Sequence, residues 1–303
     1  LPIFDYGYMV ATDYSGTVVT LAGSSNSYTM YTGFLNGAET GYINKGHNGP
    51  YTNMTSHTWT IAEVDGHSGY YTIKYADDEY LAGSGSATNC ILAALEDNNY
   101  FYWQLVSKSV REDLSTASVS TPVDATFFIE NQNFNLYSQE QTVWKESDDS
   151  NWQTVNNSNV RGGNNDNTCA EVYNNTFDIH QTKSVTNGKY RVTCQAFYRA
   201  GGAGTTTTTQ NVLLYANSKE AAIMNINSGA SNSSGSGYTQ QVGETGKYVP
   251  NGMSDASTVF SAGAYVDNYV DALVTDGSLT IGVKKSTGIT YDWAAFDNFQ
   301  LTY

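Results

Sequence analysis

The last third of the chain is a series of short, aromatic-rich segments in which apolar and polar residues alternate, as in β-strands with one buried face. In the final segment, YDWAAFDNFQLTY at 291–303, an unbroken alternation puts Asp297 on the same face as Phe299 and Leu301. Burying an ionised carboxylate is costly unless a cation or several donors meet it. The pattern therefore predicts either a dedicated partner for Asp297, with bound calcium the leading candidate, or an interruption of the strand there.

Length and charge narrow the possible classes of protein. A chain of 303 residues exceeds the usual size of a single domain, so we expect two domains. Asp and Glu total 29 against 14 Lys and Arg, which gives a net charge of −15. Such a charge repels phosphate backbones and anionic bilayers, and no stretch approaches the roughly 20 apolar residues of a membrane span. We therefore expect neither nucleic-acid binding nor membrane insertion.

Composition indicates a secreted all-β protein. The chain has 24 Tyr and 28 Gly but only 4 Pro, with many Ser, Thr and Asn residues. It begins at Leu1 without a signal peptide, and we expect that a targeting segment was removed and that the protein is secreted, periplasmic or at the cell surface. Cys90, Cys169 and Cys194 are an odd set. Cys169 and Cys194 either form a disulfide or are small buried hydrophobic residues.

Residues 1–108 contain a loosely repeated unit. GYMVATDYSGTVVTL at 7–21 is similar to GYYTIKYADDEYL at 69–81, and HTWTI at 57–61 is similar to FYWQL at 101–105. This repetition predicts stacked equivalent units, each closed by a core Trp. The arrangement resembles a β-trefoil of the ricin B-chain lectin type. His57 and Phe101 stand where that family has Gln, so none of its sugar-binding residues is carried over to this chain.

The pattern changes after the repeats. SKSVREDLSTASVST at 107–121 is charged and then rich in Ser and Thr, and Pro122 follows it. We predict a linker at 109–121 with a short helical turn around 111–117, between a first domain at 1–108 and a second at 122–303.

Two segments of the second domain combine a turn signal with alternation. NGKYRVTCQAFYR at 187–199 predicts an Asn-Gly hairpin turn leading into a core strand, and DGSLTIGVKK at 276–285 predicts an Asp-Gly hairpin. In the segment at 187–199, the alternation of apolar and polar residues slips at Phe197. Either Phe197 or Tyr198 then faces outward, or a bulge absorbs the extra residue. Each alternative puts an aromatic side chain and Arg199 near a sheet edge or loop.

Six segments together resemble a known type of module: AEVYNNTFDIHQT at 170–182, NGKYRVTCQAFYR at 187–199, VLLYAN at 212–217, VPNGM at 249–253, DGSLTIGVKK at 276–285 and YDWAAFDNFQLTY at 291–303. The module is common at the C-terminus of secreted proteins from glycan-degrading gut bacteria. It belongs to the galactose-binding-like β-sandwich class, which includes many carbohydrate-binding modules. The similarity covers 122–303, and trefoil-like repeats precede the module in the same kind of protein.

The resemblance implies a jelly-roll β-sandwich with a structural calcium and a sugar site on the loops at one end. By position, Asp297 matches the terminal-strand calcium ligand of that class, and Asn131 and Glu171 are its expected early partners. Calcium takes about 6 to 8 oxygen ligands, many of them backbone carbonyls.

Sugar binding requires an aromatic plate for the CH-rich face of the ring and planar polar groups for its hydroxyls. The candidate plates are Trp144, Trp152 and Tyr198, the first two in the polar stretch at 141–159. The candidate polar groups are Arg199 and Asn217. Alternatively, the two Trp side chains pack at the sandwich edge, Arg199 is a solvated or salt-bridged edge residue, and Asn217 caps a turn. We expect Trp293 to be a core residue.

No nucleophile elbow, phosphate loop or catalytic triad order stands out in the sequence. The sequence thus predicts a trefoil-like domain followed by a galactose-binding-like sandwich, which together bind oligo- or polysaccharides without cleaving them. Two alternatives stay open. One is an adhesion module that binds other surface proteins, and the other is a glycoside hydrolase with an unrecognised site; fold alone does not choose among them.

Overall fold

A computed structural model describes residues 2–5, 8–11, 18–32, 41–47, 49–83, 90–134, 143–150, 160–164 and 167–303. The chain divides into two compact units, Leu1–Asp113 and Leu114–Tyr303, called the first and second units below. Both consist mainly of antiparallel β-strands, so the all-β prediction is confirmed at this level. No helix among the described residues has the length and hydropathy needed to cross a bilayer.

The strands of the first unit form one sheet in the order β1-β2-β6-β5-β4-β7-β8-β9-β10, with β3 paired to β4. Their bounds are β1 Pro2–Asp5, β2 Tyr8–Ala11, β3 Val19–Ser24, β4 Ser27–Thr32, β5 Gly41–Lys45, β6 Pro50–Asn53, β7 Thr58–Val64, β8 His67–Ala76, β9 Glu79–Ala82 and β10 Ile91–Ala93. A short helix, α1, follows at Lys108–Arg111, so the predicted helical turn lies a few residues earlier than expected.

The two Trp residues of the first unit have equivalent roles. Trp59 is fully buried, and its indole Nε1 donates to the backbone carbonyl of Ile43 at 2.9 Å. Trp103 is partly buried and donates in the same way to the carbonyl of Leu81 at 3.0 Å. Each ring therefore contributes to the core while its one polar atom is satisfied by the backbone.

The second unit contains two larger sheets and a short ribbon. Its strands are β11 Val160–Asn164, β12 Asn167–Tyr173, β13 Phe177–Ser184, β14 Gly188–Arg199, β15 Leu213–Ala216, β16 Lys219–Ala222, β17 Gln240–Gln241, β18 Tyr248–Val249, β19 Asn268–Val274, β20 Ser278–Lys285 and β21 Trp293–Thr302. The five-stranded sheet has the order β11-β12-β21-β14-β19, and the four-stranded sheet has the order β13-β20-β15-β16. Helix α2 spans Met253–Ser261, and short 3-10 helices span Thr126–Phe128 and Ile226–Gly229.

Two cores share the five-stranded sheet. The inter-sheet core contains side chains of both sheets, including Val192, Ile281, Phe296 and Phe299. The helix-side core covers the opposite face of the same sheet, where Phe197 and Trp293 pack with Phe260 of α2. Part of this sheet is therefore buried on both faces, which removes the alternation of polar and apolar residues there.

This double burial corrects the predictions for the end of β14. Tyr198 belongs to the inter-sheet core and Phe197 to the helix-side core, so neither ring faces outward. The side chains of β14 still alternate between the two faces of the sheet without a slip. The irregularity lies instead in β21, where the register shifts opposite Thr193 and Gln195.

The two predicted hairpins are connections between sheets. The Asn187-Gly188 turn follows β13 of the four-stranded sheet and begins β14 of the five-stranded sheet, and the Asp276-Gly277 turn joins β19 to β20 across the same gap. The two turns hold each other, because Asn187 donates to the carbonyl of Thr275 at 3.1 Å and accepts from the amide of Gly277 at 2.8 Å. The hairpin prediction was wrong because a turn signal does not reveal which strands will pair.

The terminal strand β21 is continuous from Trp293 to Thr302, but a bulge shifts its alternation next to Asp297. Asp297 pairs with Gln195, but Gln300 pairs with Thr193, so β21 carries one extra residue between them. Asn298 absorbs it with a φ of 49°. Phe296 and Phe299 both reach the inter-sheet core, whereas Asp297 follows Trp293 to the other face. The predicted common face for Asp297 and Phe299 was wrong.

The three cysteines are buried and unbridged. Cys169 lies on β12 and Cys194 on β14, and β21 separates these two strands in the sheet. Burial raises the pKa of both thiols. Of the two alternatives for this pair, the small buried hydrophobic residue is therefore confirmed.

Candidate functional site

A pocket of about 560 Å³ opens at the end of the five-stranded sheet where β14 ends and β21 begins. These ends meet because the two strands are antiparallel and Arg199 pairs with Trp293. The helix-side core lies next to it and supplies Met253, the first residue of α2. The pocket is lined by Glu171, Tyr173, Arg199, Gly202, Ala203, Asn251, Gly252, Met253, Tyr291 and Trp293.

Arg199 is the cation of the pocket, and it is held in a fixed position. Its guanidinium donates to the carbonyl of Gly201 at 3.0 Å, to Oδ1 of Asn251 at 2.9 Å and to the carbonyl of Tyr291 at 3.3 Å. All three acceptors are uncharged, and burial lowers the pKa of the guanidinium, which still stays charged at neutral pH. The guanidinium carbon lies 5.2 Å from the ring centre of Trp293, so the two planar groups form a cation–π pair.

Trp293 and Glu171 form the next part of the lining. The indole Nε1 of Trp293 donates to Oε2 of Glu171 at 2.8 Å. Glu171 on β12 pairs with Ala295 on the adjacent strand β21, and Ala295 lies on the same face of the sheet as Trp293. The side chain of Glu171 therefore points to that face as well. The pocket therefore holds one cationic and one anionic side chain, each in contact with the same indole ring.

The rim combines exposed aromatic surface with small residues. Tyr291 is 59% exposed and has a φ of 65°. Its backbone amide donates to Oδ1 of Asn174 at 2.9 Å, which fixes the backbone that carries the ring. Gly202 and Gly252 line the same pocket, and a Cβ atom at either would meet nothing within 4 Å, so these residues leave space open. An aromatic plate beside open space is an arrangement that can receive a flat, partly apolar ligand.

A buried ion pair lies directly behind these residues. Lys285 and Asp292 are both inaccessible to solvent, and Nζ of Lys285 lies 2.6 Å from each carboxylate oxygen of Asp292. The same carboxylate accepts from the hydroxyl of Tyr198 at 2.9 Å and from the amide of Ile289 at 3.3 Å. Because Asp292 stands between Tyr291 and Trp293 in the chain, this cluster holds the loop that carries both aromatic residues.

The predicted sugar-binding residues separate into several groups. Arg199 lines the pocket, whereas Trp144 and Tyr198 are completely buried and their rings cannot receive a ligand. Trp144 stacks on Phe134, and Tyr198 donates to Asp292, so both predictions are corrected to core positions. Trp152 lies outside the described residues.

Asn217 is a turn residue. It has a φ of 52°, its Oδ1 accepts from the amide of Thr280 at 2.8 Å, and its Nδ2 donates to the carbonyl of Ser278 at 3.1 Å. The sequence left turn capping open as the alternative to sugar binding, and the structure shows the capping contacts.

The predicted calcium ligands lie on three different segments of the second unit. The carboxylate of Glu171, on β12, accepts from the indole of Trp293 and lines the pocket. The turn that begins at Asn131 lies against the bulge in β21, because the amide of Phe299 donates to the carbonyl of Gln132 at 2.9 Å. Asp297 is almost completely buried beside it, and its Oδ1 accepts from the amide of Asn298 at 2.8 Å.

Burial raises the pKa of the Asp297 carboxyl well above its usual value. The oxygen atoms of Asp297 and Asn131 and the nearby backbone carbonyls are of the kind that calcium prefers. In the part of the chain that the structure describes, no cluster of three or more His, Cys, Asp or Glu side chains could hold a metal ion. A calcium ion at this position would therefore depend on backbone and amide oxygens in addition to Asp297.

Sequence reasoning missed most of the pocket. Trp293 was predicted to be a core residue, and it does pack in the helix-side core, but one edge of it lines the pocket. Tyr173, Tyr291 and Asn251 carried no pattern that singled them out. The sequence did offer one signal. Tyr291 lies just before the terminal strand and Trp293 begins it, and ligand-binding residues are often found at such strand ends and loops.

No protein-family model matches the sequence, and no curated protein matches it. Among solved structures, the chain is similar to TmCBM61 in complex with β-1,4-galactotriose, at 13% identity over 57% of this chain and 96% of that chain, with a TM-score of 0.27. It is also similar to the mosquito-larvicidal Cry4Aa toxin from Bacillus thuringiensis, at 10% identity over 97% of this chain and 53% of that chain, with a TM-score of 0.26. Likeness at these scores carries no argument about the function of this chain.

Proposed function

We propose that the protein binds glycans through the pocket of the second unit, without cleaving them. The observation that carries this proposal is the stack of Arg199 on Trp293 beside the exposed ring of Tyr291, in a pocket that small residues keep open. Tyr291 supplies a plate for the CH-rich face of a sugar ring. Arg199, Asn251 and Glu171 supply donors and acceptors for its hydroxyl groups.

The finer parts of the sequence interpretation belong to the same proposal. We propose that the second unit is a jelly-roll of the galactose-binding-like class, that the first unit is trefoil-like, and that the protein acts outside the cytoplasm, where polysaccharides and other surface proteins are its partners. The equivalent bonds of Trp59 and Trp103 support a repeated architecture in the first unit. The two connections between sheets at Gly188 and Gly277 support a sandwich in the second.

The role of Tyr291 can be tested by replacing it with Asn, a residue that tolerates the same left-handed backbone. We expect Tyr291→Asn to weaken binding of the best ligand on a glycan array at least about tenfold, because the plate is lost. Tyr269→Thr is the matched control, since Tyr269 is 54% exposed and lies on β19 outside the pocket. Equal losses in both variants, measured by isothermal titration calorimetry, would contradict the assignment.

A structural calcium is a second proposal for the same unit, with Asp297 and Asn131 as side-chain ligands and carbonyls of the adjoining turn completing the shell. The ion would offset the negative charge of a buried carboxylate and join the early turn to the terminal strand. The contact between Phe299 and Gln132 supports it, because it brings the two segments together.

We expect calcium at about 100 times its dissociation constant to stabilise the second unit by about 2.7 kcal/mol. This corresponds to a thermal unfolding midpoint about 5 to 10 °C higher than that of the protein in chelator. Asp297→Asn is expected to abolish this rise, and Glu171→Gln is expected to keep it. Differential scanning calorimetry in calcium and in chelator measures both. Identical unfolding midpoints for the wild-type protein in the two buffers would contradict a stabilising calcium site.

A further inference from the structure

We propose that the pocket selects uncharged sugars, and that Glu171 is the residue that excludes anionic ones such as uronic acids, sialic acids and sulfated sugars. This inference rests on the proposed glycan binding and assigns the charge class of the ligand. It gives Glu171 a role in specificity at the pocket.

The geometry places Glu171 where a ligand must approach it. It lies in the interior of β12, is partly exposed, and lines the pocket with Trp293. Its bond of 2.8 Å to the indole of Trp293 holds the carboxylate against the wall formed by that ring. An ionised carboxylate only accepts hydrogen bonds, so it suits a sugar hydroxyl and repels a sugar carboxylate or sulfate.

Two features of the pocket favour an anion, and both are offset. Arg199 is cationic, and the positive end of the α2 dipole reaches the lining at Gly252 and Met253. Glu171 balances the charge of Arg199. Asp255 in the first turn of α2 accepts from the amide of Asn251 at 3.0 Å and from the hydroxyl of Thr239, so the helix end already has its own carboxylate.

Arg199 is also committed to the protein. Three of its five N–H groups donate to Gly201, Asn251 and Tyr291, and its face lies on Trp293. Its donors are thus divided among neutral acceptors. The net charge of −15 on the whole chain further disfavours the approach of an anionic glycan.

The test uses the full chain and an array of glycan pairs in which one member carries anionic groups that the other lacks. Suitable pairs are oligogalacturonides with and without complete methyl esterification, sulfated and desulfated galactans, and sialylated and desialylated N-glycans. We expect the wild-type protein to bind the neutral member of its preferred pair at least about tenfold more tightly. Raising the salt concentration from about 50 mM to about 500 mM is expected to narrow that ratio, because salt screens the repulsion.

Glu171→Gln keeps an acceptor for the indole of Trp293 and removes the charge. We expect it to narrow the ratio of neutral to anionic binding at least about fivefold relative to the wild type. Asp276→Asn is the matched control, because it removes one exposed carboxylate at the turn before β20 while an amide oxygen can still accept from Ser278. It is expected to leave the ratio unchanged.

The outcomes separate the two proposals. Tighter binding of the anionic member, a ratio that does not respond to salt, or equal shifts in Glu171→Gln and Asp276→Asn would overturn the exclusion role of Glu171 and leave glycan binding standing. Absence of binding to either member of every pair by the wild-type protein would overturn glycan binding and this inference together.

Discussion

Replacing Lys285 with Met is expected to lower the free energy of unfolding of the second unit by about 3 to 5 kcal/mol, because it leaves a buried carboxylate without its cation. Lys285 and Asp292 are both 0% exposed in their side chains and lie 2.6 Å apart. The hydroxyl of Tyr198 and the amide of Ile289 remain as donors, but neither carries a positive charge. Guanidinium unfolding followed by near-ultraviolet circular dichroism measures the change.

Lys284→Met is the matched control for this variant. Lys284 precedes Lys285 in β20, points to the other face, and pairs with Glu220 where both side chains are partly exposed. Its loss is expected to cost at most about 1 kcal/mol. Removing both charges in Lys285→Met/Asp292→Leu is expected to recover part of the stability. Equal destabilisation by the two single Lys variants would contradict the claim that the buried pair contributes more to stability than the exposed pair.

Trp144→Ala is expected to destabilise the second unit by about 3 to 5 kcal/mol, since it empties a large volume in the inter-sheet core. The ring lies 5.0 Å from the ring centres of both Phe134 and Phe299. Its Nε1 also donates to the carbonyl of Asn131 at 3.0 Å, which ties the early turn to the core. Thermal unfolding of the variant measures the effect.

Trp144→Phe provides the graded control, because it keeps an aromatic ring and loses only the indole N–H and part of the volume. A smaller loss of about 1 to 2 kcal/mol is expected for it. A variant Trp144→Ala that unfolds like the wild type but no longer binds glycan would restore the ligand-facing alternative and contradict the buried position.

The first half of β14 was predictable from the sequence, and the second half was not. Tyr190 and Val192 are buried and Arg191 is exposed, as the alternation requires. From Gln195 onward both faces are covered, because α2 packs on the outer side of the sheet. The apolar residues of α2 follow some sixty positions later in the chain, so no local pattern could reveal this cover. The short apolar run of Ala196, Phe197 and Tyr198 was the local indication.

The site was predictable only in part for a similar reason. Arg199 was found because it follows an aromatic pair at the end of a strand. In the sequence, Lys285 and Asp292 look like ordinary charged surface residues. Their pairing depends on how the chain brings the end of β20 next to the start of β21. Trp144 shows the opposite case, since a polar neighbourhood in the sequence surrounds a ring that tertiary packing buries completely.

The bulge at Asn298 determines which of the last residues of the chain face the core. Because the alternation shifts by one residue here, Ala294 and Phe296 before Asn298 and Phe299 and Leu301 after it all reach the same inter-sheet core. Deleting a single residue there would rotate Phe299 and Leu301 out of their layer while leaving the composition almost unchanged. This segment should accept substitutions far more readily than insertions or deletions, which makes the frame of its last six residues as important as their identity.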